Sequence, residues 1–205
     1  MMEGTVVSES TTIIRVAAIC GSLRRASFNR GLIRYAKKLC EEDISGMHIE
    51  LVDIGSLPLL NTDLEIDGGY PPVVDSFRRK ILEADSILFA SPEYNYSLSA
   101  PLKNAIDWAS RPPNVMAGKS AAVVSAAGGS AGQRSQYHLR QVGVFLDLHF
   151  INKPELFILG HKPPKKFDSD GNLIDSEIQQ RLKELLLSLQ SFTCRLQRGN
   201  TNTID

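Results

Sequence analysis

The sequence predicts an α/β fold, a three-layer, doubly wound sheet of five parallel strands in the order 2-1-3-4-5. Three observations predict it. Segments such as 13–19 and 120–127 are apolar without alternation, as strands covered on both faces must be. Between such segments the apolar residues recur at helical spacing, so strand and helix alternate along the chain. The first, third and fourth strands end in turn formers, at Gly21, Pro92 and Gly128-Gly129, the end of such sheets where ligands bind.

The first strand comprises Ile13, Ile14, Val16, Ala17, Ala18 and Ile19, rich in β-branched side chains. Gly21 turns the chain into an amphipathic helix with Leu32, Ile33, Ala36 and Leu39 on one stripe. Residues 48–54 (HIELVDI) alternate as a second strand. The connection 55–72 is long and rich in turn formers, and its Leu57, Leu59, Leu60 and Leu64 predict that it packs down. Pro72 suits the first turn of a helix carrying Val73, Val74, Phe77 and Ile81. The third strand, 86–91 (SILFAS), stops at Pro92, which lacks an N–H; Pro101 then opens a helix through Leu102, Ala105, Ile106 and Trp108. A fourth strand spans 120–127 and a helix 133–148. The fifth strand, around 149–158, is interrupted at Pro154, which places it at a bend or an edge. After a polar loop over 160–175, a last helix from Ser176 to about Leu196 has Ile178, Leu182, Leu185, Leu186, Leu189 and Phe192 as its core stripe. Residues 1–12 read as a disordered segment, 13–197 as a single domain and 198–205 as a disordered tail.

Composition narrows the function. Hydrophobic residues at 42% and charged residues at 22% describe an ordinary globular chain. Its 23 basic and 23 acidic side chains cancel, which removes any composition-level reason to expect nucleic acid. Basic residues do gather at Arg24, Arg25, Arg30, Arg34, Lys37 and Lys38, as a phosphorylated small ligand would require. Cys20, Cys40 and Cys194 form no CxxC pair, and the four histidines lack metal-ligand spacing, so a reducing compartment and no metal are expected. Without a signal peptide or apolar span, the expected location is cytoplasmic.

Chemistry concentrates at the three strand ends. Gly21, Ser22, Arg24, Ser27 and Asn29 lie between a strand and a helix N-terminus, where free N–H groups and the helix dipole favour an anion. The segment is neither a P-loop nor GxGxxG, and the bland alternative is a turn capped by Ser27 or Asn29. Glu93, Tyr94, Asn95, Tyr96, Ser97 and Ser99 follow the third strand and suit a flat heterocycle needing stacking and in-plane hydrogen bonds. Residues 128–132 match GxSxG, the nucleophile elbow of serine hydrolases, with Ser130 as nucleophile and Asp147 with His149 or His161 as nominal partners. No HGGG-type oxyanion segment accompanies it, and a phosphate or flavin passing close to the backbone explains the glycines equally well.

With GSLRRASFN at the first turn, PEYN after the third strand and the Gly-Gly turn after the fourth, the chain resembles the NADPH-dependent FMN reductase family. The likeness runs from Ile14 to Leu196 and, within the family, points to the plant-type NADPH:quinone reductases. It implies a flavodoxin-like fold binding FMN non-covalently, with NADPH or NADH as co-substrate. Carried over residue by residue, Ser22, Leu23, Arg24, Ser27, Phe28 and Asn29 would hold the FMN phosphate. Pro92, Glu93, Tyr94 and Asn95 would line the isoalloxazine, with Ser125, Gly128 and Gly129 on its other flank. Ser130 and Ala131 stand where related chains often carry glycine.

The implied activity is two-electron reduction of quinones to hydroquinones by ping-pong hydride transfer through flavin N5. No catalytic acid or base is then required; Tyr94 and Asn95 position the flavin, and Arg24, Arg25 or Arg134 would meet the extra phosphate of NADPH. Homodimers or homotetramers are implied, with the helices starting at Pro101 and Gln133 as interface candidates, and membrane contact is at most peripheral. Alternatives kept open are reduction of free FMN, azo compounds or chromate, a serine hydrolase using Ser130, and a one-electron flavodoxin-type carrier. Such carriers tend to be strongly acidic, and this chain is neutral.

Overall fold

The computed structural model describes residues 13–201; segments 1–12 and 202–205, expected to be disordered, lie outside the described residues. The strands are β1 (Ile14–Cys20), β2 (Met47–Val52), β3 (Ser86–Ala90), β4 (Ser120–Ala127), β5 (His149–Phe150) and β6 (Leu156–Leu159). The helices are α1 (Phe28–Glu42), α2 (Pro72–Leu82), α3 (Ala100–Ala109), α4 (Gln133–Phe145) and α5 (Ser176–Thr201). All strands pair in parallel in the order β2-β1-β3-β4-β5, and β6 also pairs with β4. β5 takes the start of β4 (Ser120, Ala121) and β6 its end (Val124 to Ala127), so the two pieces share the fifth position on either side of Pro154.

Side chains alternate across the sheet with period two and feed separate cores. Val16, Ala18, Leu88 and Val124 pack beneath α1 and α5, whereas Ala17, Ile19, Ile87, Phe89 and Val123 pack beneath α2, α3 and α4. β3 is buried at every residue, which is why its sequence lacks polar alternation. Ser27 caps α1, accepting from the Arg30 N–H at 3.4 Å. Ser99 caps α3 and also donates its hydroxyl to the Gly21 carbonyl at 2.5 Å, tying the β1 turn to the β3 turn. Among the described residues, no helix is long and apolar enough to cross a membrane.

Some boundaries differ from expectation. α5 continues to Thr201, so residues 198–201 are helical rather than part of a tail. No proline interrupts it, and a glycine such as Gly199 costs a helix only about 1 kcal/mol relative to alanine. The long connection before α2 packs down through polar groups more than through its leucines. The Pro58 carbonyl accepts from Asn104 Nδ2 (2.9 Å) and Trp108 Nε1 (2.8 Å), and Asn104 Oδ1 accepts from the Leu60 N–H (2.8 Å). Leu59 and Ile66 are left 81% and 69% exposed.

Arg78 of α2 is a buried cation that makes no salt bridge to a carboxylate among the described residues. Its guanidinium donates to the carbonyls of Trp108, Ala109, Arg111 and Pro113 at 2.7, 3.2, 2.9 and 2.8 Å and lies 4.3 Å over the Tyr70 ring. The orphan carbonyls and negative dipole end of α3 thus solvate it. Arg78→Met should take the side-chain donor from the Arg111 and Pro113 carbonyls and leave those of Trp108 and Ala109 with only their longer backbone bonds (3.4 and 3.2 Å), lowering stability by about 3 kcal/mol. Urea unfolding would report this as a lower midpoint at unchanged slope, with Arg78→Lys falling between; an unchanged midpoint in both variants would refute this role.

Candidate active site

The carboxyl ends of β1, β3 and β4 each carry one loop, and the three loops wall two adjoining clefts. The first cleft, about 250 Å³, has Ser22, Arg24, Ser27, Phe28 and Asn29 on the β1 side and Pro92, Glu93 and Tyr94 on the β3 side. Ala126, Ala127 and Gly128 close it from β4, and His161 closes it from the loop after β6. The second, about 520 Å³, adds Asn95, Tyr96, Gly129, Ser130 and Arg134. Glu93, Ala127 and Gly128 line both, so the clefts form one trough.

The β1 end is cationic. Arg24 and Arg25 are exposed, and among the described residues no carboxylate pairs with either. The β4 end is bare: a Cβ added to Gly128 or Gly129 would meet no atom within 4 Å and would project into open space. The β3 end is a tight turn in which Tyr94 and Ser97 exchange both backbone hydrogen bonds, at 3.0 and 2.9 Å. Asn95 and Tyr96 have φ of +49° and +64°, a mirror-type turn that asparagine tolerates and tyrosine adopts under strain.

α4 holds that turn. His138 Nδ1 lies 3.0 Å from Ser97 Oγ, and the Arg134 guanidinium stacks 3.9 Å over the Tyr96 ring. Arg134 also donates its backbone N–H and Nη1 to Glu93, at 3.1 and 3.0 Å. Burial pushes the Glu93 carboxyl up, but hydrogen bonds from the Ser130 hydroxyl, from Arg134 and from the Ser135 N–H outweigh it and hold the group below the usual carboxylate range.

Most residues expected at the site come together. Ser22, Arg24, Ser27, Phe28, Asn29, Pro92, Glu93, Tyr94, Asn95, Gly128 and Gly129 all line the trough. Two do not. Leu23, expected at the phosphate, is 52% exposed and lines a small neighbouring recess with Asp53 and Ile54, because the turn points it away from the trough. Ser125, expected against the ring, is fully buried: its hydroxyl donates to the Ala131 carbonyl (2.7 Å) and accepts from Gln136 Nε2 (2.8 Å). It is a strut beneath the glycine turn. Asn29 lines the trough, yet its amide is occupied, Nδ2 donating to the Ala126 carbonyl (2.8 Å) and Oδ1 accepting from the Ala126 N–H (2.9 Å).

His161, read from sequence only as a nominal hydrolase partner and not as a flavin-site residue, has its ring 5.0 Å from that of Phe28 at the cationic end. Only the pairing of β6 with the end of β4 brings it there. The hydrolase constellation does not assemble around Ser130. Asp147 and His149 face each other at 3.7 Å at the opposite, amino end of the sheet, and His138 is engaged by Ser97.

A family model described as NADPH-dependent FMN reductase matches residues 14–162. The chain belongs to that family. It is 66% identical over 185 residues to an NADPH:quinone oxidoreductase of Arabidopsis thaliana, covering 90% of this chain and 94% of the relative. A probable NADPH:quinone oxidoreductase 2 of Oryza sativa subsp. japonica is 65% identical over 202 residues, 98% of each chain. Among solved structures, FerB, a flavoenzyme NAD(P)H:(acceptor) oxidoreductase from Paracoccus denitrificans, superposes with a TM-score of 0.76 at 31% identity, covering 91% of this chain and 98% of that one.

The Glu93 tether makes a pH prediction. Because folding lowers its pKa, the carboxylate contributes stability fully above the unfolded value, about 4.3, and loses it as pH falls through the lower folded value. Glu93→Gln should therefore lower the melting temperature near neutrality and flatten its acid decline below about pH 4.3. Parallel melting curves of both proteins across that range would disprove the linkage.

Proposed function

We propose that this chain is an FMN-dependent NAD(P)H:quinone oxidoreductase, reducing quinones by two electrons to hydroquinones in a ping-pong cycle. The observation that carries the reading is the trough itself: an unpaired arginine loop at one end, a floor of exposed glycine backbone, and a polar, aromatic turn along the side. These features fit a phosphate joined to a flat ring system. Bound there, FMN supplies the acceptance and donation of hydride.

The protein's own groups then have distinct tasks. Ser22, Ser27 and Arg24 hold the phosphate, with Phe28 as an apolar wall beside it. Asn29 sets the distance between the β1 loop and the end of β4 through its two bonds to Ala126. Pro92, Glu93, Tyr94 and Asn95 line one edge of the ring, and Gly128 and Gly129 let it lie against backbone. Arg134 gives its backbone N–H and Nη1 to Glu93 and lies over Tyr96 in the second cleft, and Arg24 and Arg25 are the cations of the β1 loop for the extra phosphate of NADPH.

The outer face of α4 leaves Tyr137, Val144 and Phe145 exposed by 52%, 83% and 89%, and this face supports a homodimer or homotetramer. The apolar residues of α3, Leu102, Ala105 and Ile106, belong to the core instead. The reading includes a cytoplasmic location with at most peripheral membrane contact.

Purified protein should carry oxidised-flavin absorbance that bleaches anaerobically with NADPH and returns on adding a benzoquinone. A colourless protein that neither takes up FMN nor oxidises NADPH would overturn the proposal. Arg24→Ala should weaken FMN retention by about 10- to 100-fold, the value of a charge-assisted hydrogen bond to phosphate. Gly128→Val should do the same by filling the cleft, and both variants should melt within a few degrees of the parent; stoichiometric FMN in both would reject the assignment of the trough.

A further inference from the structure

The Glu93–Arg134 pair is lopsided in a way that bears on what the second cleft accepts. The Glu93 side chain is 7% exposed and the Arg134 side chain 48%, so although both residues line the second cleft, the cation presents much the larger surface to it. Glu93 takes the backbone N–H and Nη1 of Arg134; Nε and Nη2 have no partner among the described residues. The stacked Tyr96 ring fixes the plane of the guanidinium, so a ligand would find those donors already oriented. Among the described residues lining the two clefts, Glu93 is the one acid, whereas Arg24 and Arg134 are cations.

We infer that Arg134 makes the second cleft selective for quinones bearing an acidic hydroxyl group, which are anionic at neutral pH. The inference rests on the quinone reductase reading above. An oriented, half-exposed guanidinium can donate two parallel N–H groups to the adjacent oxygens of a hydroxyquinone anion, the arrangement in which arginine binds most strongly. The same donors serve every quinone during reduction. A quinone that accepts a hydride, originating from NAD(P)H, gains two electrons and one proton and becomes the hydroquinone monoanion; water then returns the second proton. Negative charge thus develops on oxygen beside Arg134, and its stabilisation there lowers the barrier.

The test uses the flavin-loaded, oxidised protein without NAD(P)H, so that binding is read at equilibrium and no turnover occurs. Dissociation constants for 2-hydroxy-1,4-naphthoquinone and for 1,4-naphthoquinone are taken from flavin difference spectra. The parent should bind the hydroxyquinone about 10- to 100-fold more tightly than the parent ring. Arg134→Gln should abolish that preference while changing the affinity for the neutral ring less than threefold, and Arg134→Lys, which keeps the charge but loses the paired donors, should restore only part of it. The double variant Arg134→Gln with Glu93→Gln should remain without preference. Equal affinities in the parent, equal losses for both rings, or a preference that returns in the double variant would each overturn the inference, the last by tracing the loss to an unmasked Glu93. Should the protein hold no flavin at all, the quinone reductase reading falls with it; a flavin-loaded, quinone-reducing protein with equal affinities overturns this inference alone.

Discussion

The site depends on a side chain that stands in for a missing strand. β3 can follow β4 only as far as Ser91, whose N–H still reaches the Val124 carbonyl at 3.0 Å, because Pro92 has no N–H to continue the ladder. β4 runs on to Ala127, and Ala126, two residues beyond Val124, turns its N–H and C=O toward the vacated side. Asn29 supplies the matching donor and acceptor from 97 residues away, at 2.8 and 2.9 Å. A primary amide presents the same pair of groups as a peptide unit, so one residue on the first turn of α1 completes the sheet. The break in the ladder leaves room for a ligand between the β1 and β3 turns, and Asn29 fixes the width of that room.

Charge around α1 is divided in a similar way, Lys37, Lys38 and Arg34 being engaged while Arg24 and Arg25 have no carboxylate partner among the described residues. The basic residues that cluster in sequence around α1 separate in three dimensions. Lys37 and Lys38 face Glu41 and Glu42 one turn along the helix, exposed pairs worth a few tenths of a kcal/mol each but sufficient to balance local charge. Arg34 is spent on the loop after β6, donating to Asn172 Oδ1 and the Asp170 carbonyl at 2.9 and 3.0 Å. Arg24 and Arg25 are left facing solvent at the β1 end of the trough, so an anion-attracting field is concentrated there although the composition as a whole is neutral.

This division explains what could be read from the sequence. Strand β4 was legible to the residue because an uninterrupted apolar run between turn formers has few alternatives, and the starts of α2 and α4 followed from Pro72 and from the end of the glycine turn. The three loops were legible as loops with chemistry in them. Side-chain direction was not: Ser125 and Ala126 are neighbours on one strand, and the phase that sends Ser125 under the glycine turn depends on pairing with β6. Leu23 failed for the same reason on an irregular turn, where no periodicity signals direction. His161 entered the trough only because the fifth strand position is split, with β6 rather than β5 beside the end of β4. The exposed Leu59 was misread because hydrophobicity predicts burial only where an apolar partner is present, and the loop docks on α3 through Pro58 and Asn104.

The departure from glycine at Ser130 and Ala131 has a structural logic of its own. Ala131 is held at φ +54° and Gly132 at +85°, a left-handed step that costs a non-glycine residue about 1–2 kcal/mol. Ser125 holds the strained peptide by donating to the Ala131 carbonyl, while Gln136 fixes Ser125 and reaches the Leu156 carbonyl of β6 at 2.9 Å. A side chain at Gly132 would collide with Ser125, so that position alone must lack one. At 130, where φ is not left-handed, a glycine would relieve no such strain and would remove the hydroxyl that helps hold Glu93 ionised. Ser130 therefore helps fix the Glu93 carboxylate, and that carboxylate anchors Arg134, which lies over Tyr96 on the open side of the trough.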